Sequence, residues 1–219
     1  MQVKVCGLTQ PDNLTTIAGL GVDYLGFIFY KKSKRYAKSK ELQEWLGTNP
    51  KQLEGLAKVG VFVNAGVDTL LNTVHDYQLD YVQLHGEESA GYCQELQLLW
   101  TVNTMRKAKI IKAFSVTEGF DFARTAPYEA SCALFIFDTG GQSAHGGTGV
   151  KWDWNKLAEY KGKTPFLLSG GIGPEDVVAV TDVEHPLLLG VDLNSKFESA
   201  PGVKDAEVIS RFLRLLALA

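Results

Sequence analysis

Two side chains in this sequence have the chemistry for a proton relay on one substrate. Cys6 carries a thiol and Asp138 a carboxylate, and each stands where a short apolar run gives way to a loop. A thiolate and a carboxylic acid brought to one substrate form a general base and a general acid. Lys4 lies two residues before Cys6, so on an extended strand both point the same way. A lysine turned into an interior needs a counter-charge, and Asp192 is the candidate. A cation beside Cys6 favours thiolate over thiol. His85 also ends an apolar run, where it either meets substrate or serves the interior.

Two glycine clusters point to an anion. Gly146-Gly147-Thr148-Gly149 and Gly170-Gly171 each follow an apolar run, and the second precedes Gly173-Pro174-Glu175, which reads as a helix opening. Bare backbone N–H groups near a helix N-terminus cradle phosphate.

These groups need a frame that gathers them. Apolar runs at 3–6, 24–29, 58–63, 81–84, 110–114, 133–137, 166–168 and 187–193 read as strands. Most lack polar alternation, as expected of parallel strands covered on both faces. Amphipathic stretches at 14–20, 41–46, 67–77, 89–98, 118–125, 154–160, 175–181 and 205–218 read as helices, with Thr9 and Asp12 spaced to cap the first. Eight strand–helix units in 219 residues predict one compact (β/α)₈ barrel, a single domain over 1–219. A doubly wound open sheet is the rival, but no Gly-x-Gly-x-x-Gly follows the first strand.

In such a barrel the strand ends and the loops after them form the active site. The residues there are Cys6-Gly7, Lys34-Arg35-Tyr36, Asn64, Gln83-Leu84-His85-Gly86, Asp138-Thr139, Ser169-Gly170-Gly171 and Asp192-Leu193-Asn194-Ser195. Polar groups at one end and apolar strand starts at the other favour an enzyme over a structural module. Phosphate is expected between the loops after strands six, seven and eight. Its donors are the backbone N–H groups of Gly149, Gly170, Gly171, Asn194 and Ser195, with Lys196 as an accessory.

Composition removes several classes. A net charge of −3 shows no basic surplus for nucleic acid, although 31–35 is a dense basic run whose plain reading is a solvated loop. No apolar run approaches 18 residues, so no membrane span is expected. The 3 cysteines, Cys6, Cys93 and Cys132, read as reduced thiols of a cytoplasmic protein. His75, His85, His145 and His185 lack zinc-ligand spacing, and no metal is expected.

Lys4-Val5-Cys6-Gly7-Leu8-Thr9 resembles the opening signature of the phosphoribosylanthranilate isomerase family of tryptophan biosynthesis. The similarity continues in order through Gly26-Phe27-Ile28-Phe29-Tyr30, Lys32-Ser33-Lys34-Arg35-Tyr36, Val59-Gly60-Val61-Phe62-Val63-Asn64 and Val82-Gln83-Leu84-His85-Gly86. It closes with Phe137-Asp138-Thr139, the 146–149 glycines, Trp152-Asp153-Trp154, Leu168-Ser169-Gly170-Gly171 and Gly190-Val191-Asp192. The resemblance implies a (β/α)₈ barrel without cofactor that performs an Amadori rearrangement of N-(5-phosphoribosyl)anthranilate. It implies Cys6 as general base, Asp138 as general acid, Arg35 facing the anthranilate carboxylate and the glycine loops holding phosphate. That chemistry calls for a thiol tuned down and a carboxyl tuned up. The partner is a small phosphorylated substrate; monomer and homodimer are both open. Three departures stand out: Lys34 replaces a common proline, 194–198 reads Asn-Ser-Lys-Phe-Glu where the family usually reads Ser-Ser-Gly-Val-Glu, and Trp100–Lys109 matches none of the family's motifs. The alternatives are another phosphosugar isomerase and a non-catalytic phosphate-binding barrel; loss of the thiol or the acid would favour the latter, and both are present.

Overall fold

The computed structural model describes residues 1–102, 106–139 and 151–218. Eight strands form the frame: β1 (Gln2–Cys6), β2 (Tyr24–Ile28), β3 (Ala57–Phe62), β4 (Tyr81–Leu84), β5 (Lys109–Val116), β6 (Leu134–Thr139), β7 (Phe166–Leu168) and β8 (Leu188–Leu193). All pair in parallel in chain order, and β8 closes against β1 with Lys4 opposite Asp192. The expected (β/α)₈ barrel is therefore the fold. Helices α1 (Pro11–Ala18), α2 (Lys40–Thr48), α3 (Val67–Asp76), α4 (Ala90–Val102), α5 (Val177–Thr181) and α6 (Ala206–Leu218) lie between or after the strands. None of the described helices is long and apolar enough to cross a membrane.

The strands are apolar on both faces because they separate two cores. Inside the barrel Tyr24, Val59, Ile111, Ala113, Leu134, Ile136 and Leu167 pack together. Outside, Val5, Leu25, Phe62 and Phe137 face helix residues such as Leu14, Ile17, Leu70 and Leu96. Phe137 anchors β6 just before Asp138. Its ring lies 5.1 Å from Phe122, 5.2 Å from Tyr160 and 5.0 Å from Phe166, all edge-on. Burying such a ring contributes about 1.5–3 kcal/mol, so the strand end is held firmly where the carboxylate emerges.

Some expected helices differ. The segments at 118–125 and 154–160 form 3₁₀ turns, Phe122–Tyr128 and Trp154–Glu159. Pro127 removes a donor within the first, and each opens on an aspartate, Asp121 or Asp153, that accepts the N–H two residues on. The opening after β7 begins at Val177 and not at 175, because the Asp176 carboxylate accepts the Gly173 N–H at 2.7 Å and holds a turn there. Thr9 and Asp12 do not cap α1: Gln10 occupies the cap position without a side-chain bond, and the Thr9 hydroxyl donates to Gly202 O at 3.0 Å.

A short antiparallel hairpin follows β8, made of β9 (Glu198–Ala200) and β10 (Val203–Lys204). It is stitched to α1 by a reciprocal pair. Asn13 Nδ2 donates to Lys204 O at 2.8 Å, and Lys204 N donates to Asn13 Oδ1 at 2.8 Å.

Candidate active site

At the C-terminal end of the barrel, alternation along each strand turns a polar residue inward above the apolar plug. On β1 these are Lys4 and Cys6. Lys4 Nζ donates to both carboxylate oxygens of Asp192, at 2.9 and 3.0 Å, so the counter-charge expected from sequence is the one found. Burial works against the Lys4 charge, but Asp192 outweighs it and keeps the ammonium protonated. Cys6 is fully buried beside this pair, and burial pushes its thiol up despite Lys4 and Lys204 nearby. The expected downward tuning is absent. Its physical reason is burial first, which outweighs the pull of Lys4, and then Asp192, which disfavours a second anion.

Asp138 ends β6. Its Oδ1 accepts the Thr139 N–H at 2.8 Å and the Ser169 hydroxyl at 3.3 Å, and its Oδ2 lies 3.3 Å from His85 Nε2. Burial alone would raise this carboxyl. The hydrogen bond and charge of His85, then the Thr139 and Ser169 donors, bring it below the usual carboxylate range. This too is opposite to the tuning the chemistry called for. His85 is steadied from behind by Gln83, whose Nε2 lies 2.9 Å from His85 Nδ1.

The chain around His85 is clamped by a buried group that sequence reasoning missed. Lys112 of β5 donates to Leu84 O at 3.1 Å, to Gly86 O at 2.8 Å and to Glu88 Oε2 at 3.2 Å. Glu88 in turn accepts the N–H groups of Asn64 at 2.7 Å and Gly86 at 2.9 Å.

Arg35 is no solvated loop residue. Its Nε donates to both oxygens of Glu198, at 2.8 and 3.0 Å, and its Nη2 donates to Oε2 at 2.8 Å. Lys204 donates to the same carboxylate at 2.7 Å and to Asn194 Oδ1 at 2.8 Å and Asn194 O at 3.1 Å. Burial would raise Glu198, yet Arg35 and Lys204 hold it below the usual carboxylate range. The Nη1 edge of Arg35 has no partner among the described residues. Gly7 makes the assembly possible. It turns with φ +86°, and a Cβ there would lie 2.7 Å from Arg35 Cδ and 2.9 Å from Asn194 Oδ1. The arginine therefore lies directly over the end of β1, next to Cys6.

Gly170 and Gly171 follow β7 with φ +95° and +71°, a pair of left-handed residues. A Cβ on Gly170 would stand 2.3 Å from Thr139 Oγ1, so only glycine lets this loop touch the end of β6. Among the described residues the N–H groups of Gly170, Gly171 and Ser195 engage no acceptor. Such consecutive turned amides make an anion-binding hollow. Ser195–Phe197 forms one 3₁₀ turn after β8, and its non-glycine residues need no positive φ there. Gly149 and its neighbours at 146–148 lie outside the described residues. The chain re-enters beside this loop, where Trp152 Nε1 donates to Ser169 O at 3.0 Å and Lys151 pairs with Asp176.

The family model for N-(5'phosphoribosyl)anthranilate (PRA) isomerase matches residues 3–214. The chain belongs to the phosphoribosylanthranilate isomerase family. An N-(5'-phosphoribosyl)anthranilate isomerase of Parabacteroides distasonis is 42% identical over 214 residues, which cover 98% of this chain and 92% of the relative. The crystal structure of the phosphoribosyl anthranilate isomerase of Thermotoga maritima superposes with a TM-score of 0.81 at 30% identity and covers 100% of both chains. Another isomerase structure, in complex with reduced 1-(o-carboxyphenylamino)-1-deoxyribulose 5-phosphate, gives a TM-score of 0.79 at 29% identity and full coverage of both chains. Membership in this isomerase family covers the whole barrel, and with it every strand end described above.

Proposed function

We propose that this protein, acting in the cytoplasm as one domain, converts N-(5-phosphoribosyl)anthranilate to 1-(o-carboxyphenylamino)-1-deoxyribulose 5-phosphate, with Cys6 as general base and Asp138 as general acid. The observation that carries the assignment is geometric. Cys6 ends β1, Asp138 lies at the end of β6, and Asp192 stands on β8, the strand that pairs with β1, so the thiol and the carboxyl stand at the same end of one closed barrel.

In this reading Asp138 protonates the ribose ring oxygen. The C1–O bond opens and leaves a C1–N iminium. The Cys6 thiolate removes the C2 proton to give an enolamine, and ketonisation returns a proton to C1. Arg35 presents its free Nη1 edge to the anthranilate carboxylate, a pairing suited to a planar fork. Gly170, Gly171 and Ser195 give backbone N–H groups to the phosphate. Asn194 adds its backbone, since its side chain serves Lys204. His85 sits at the same mouth, within reach of the sugar through Asp138.

The tuning has a consequence. With the thiol up and the carboxyl down, the prevailing form near neutrality is thiol and carboxylate. The competent form, thiolate and carboxylic acid, has the same proton count and is its minor tautomer. The test is a steady-state assay with freshly made substrate, read by loss of anthranilate-type fluorescence. A flat trace from well-folded protein overturns the proposal.

A further inference from the structure

We infer that Lys204 is a positioning residue that sets both grips on the substrate at once: it seats the arginine fork for the anthranilate carboxylate and aims the Ser195 amide at the phosphate. The inference rests on the carboxylate and phosphate sites proposed above and adds what holds them in register.

Lys204 ends β10, and its side chain is wholly buried. An ammonium has three donors and no acceptor. Here they meet Glu198 Oε1 at 2.7 Å, Asn194 Oδ1 at 2.8 Å and Asn194 O at 3.1 Å. None is left for a ligand, so Lys204 acts through its neighbours. The backbone of Lys204 is held separately, by the reciprocal pair with Asn13 of α1. Loss of the ammonium alone therefore leaves the hairpin its tie to the barrel.

The first arm runs to the carboxylate end. Glu198 Oε1 takes Lys204 and the Gly202 N–H, Oε2 takes Arg35 Nη2, and Arg35 Nε bridges both oxygens. With Oε1 pinned, the plane of the carboxylate is fixed, and the plane of the guanidinium follows it. Gly7 makes room for this, since a Cβ there would lie 3.5 Å from Lys204 Nζ.

The second arm runs to the phosphate end through one peptide unit. In a trans peptide the C=O and the next N–H point in opposite directions. None of the described peptide bonds is cis. Asn194 O is drawn to Lys204 and also accepts the Phe197 N–H at 3.1 Å. The Ser195 N–H of the same unit is thereby turned away from the hairpin. It is one of the amides that engage no acceptor among the described residues. Asn194 leaves strand geometry here, at φ −142° and ψ −105°, which is where β8 ends and the amide is redirected.

The experiment is titration calorimetry of the full chain with the reduced product analogue and two truncated forms, one without its phosphate and one without its carboxylate. Lys204→Met is expected to weaken each truncated form by about tenfold, and the whole analogue by more than either. A loss confined to one truncated form, or absent from both, overturns the inference. Amide NMR with inorganic phosphate reads the aim directly. Phosphate should shift the Ser195, Gly170 and Gly171 amides of the wild type, but only the two glycines of Lys204→Met. A Ser195 amide that still answers in the variant overturns the inference, because a lysine that merely stabilised the hairpin would not silence one amide of three. Should Lys204→Met fail to fold, the arms are cut singly. Asn194→Ala should weaken only the form that keeps the phosphate, and Glu198→Gln only the form that keeps the carboxylate; either variant weakening both or neither overturns the inference. A wild type that gains no affinity from the phosphate, or none from the carboxylate, overturns the substrate site itself and the inference with it, which separates the two failures.

Discussion

Two buried lysines flank the mouth of this barrel, and their hydrogen bonds end differently. Lys112 reaches Glu88, and Glu88 ends on the backbone amides of Asn64 and Gly86. Lys204 reaches Glu198, and Glu198 accepts the Gly202 N–H at 3.2 Å but also seats the side chain of Arg35, whose Nη1 edge has no partner among the described residues. The first network closes on the main chain and fixes loop geometry. The second touches the main chain at Gly202 but closes chiefly on a side chain with donors to spare, and so can take a ligand. A buried ion pair by itself says little about function; what lies at the far end of it decides.

The largest effect expected from breaking this contrast is on turnover. Cys6→Ala and Asp138→Asn, between the two networks, should each lower kcat roughly 10²–10⁴-fold with Tm retained. Near-normal kcat in either variant would remove that residue from the chemistry. Lys112→Met should do the reverse. It leaves Glu88 buried with its two backbone donors but no counter-charge, at a cost of about 3 kcal/mol, enough to lower Tm by roughly 10 °C. An unchanged melting curve would show that the closed network is not scaffolding.

On the open side, Glu198→Gln should weaken binding of a carboxylate-bearing product analogue by about tenfold, because the guanidinium loses its bidentate seat. An analogue lacking the carboxylate should bind equally to both proteins. Equal losses for the two analogues would reduce Glu198 to packing.

The pH profile sharpens the comparison further. Asp138 is held low and Cys6 high, so the single-proton state lies between them. Activity should rise as pH climbs through the Asp138 titration and fall as it climbs through that of Cys6. The residual activity of Cys6→Ala should therefore lose its basic limb. Loss of the acidic limb would restore the tuning expected from sequence. The smallest effect belongs to Lys196, which meets Glu175 only at 4.0 Å on the rim. Lys196→Ala should raise KM no more than a few-fold, as for any exposed pair.

The barrel was legible because its strands are apolar on both faces. The reading of β4 and β7 agrees with the structure to the residue, while β5 runs two residues beyond the expected end. Alternation also placed Lys4 with Cys6, and closure of eight strands placed Asp192 opposite. Gln83 was equally within reach, two residues from His85, but a glutamine in an apolar run carries no chemistry of its own. The Arg35–Glu198 fork was not legible, because 163 residues separate the partners and a hairpin has to present the acid. The two pKa directions were not legible either. Sequence tells which charges are neighbours, but the water excluded around Cys6 and the donors gathered on Asp138 exist only in the folded chain.

The hairpin has a bearing on how the protein comes to life. Glu198 and Lys204 are made long after Arg35, and the same hairpin is tied to Asn13 in the first helix. During synthesis the first helices emerge with their apolar faces seeking cover, yet the carboxylate clamp has no seat until its last segment leaves the ribosome. Contacts of such long range also make folding slow relative to local pairing. A chain stopped before residue 198 therefore carries Cys6 and the Gly170-Gly171 loop but lacks the carboxylate that seats Arg35.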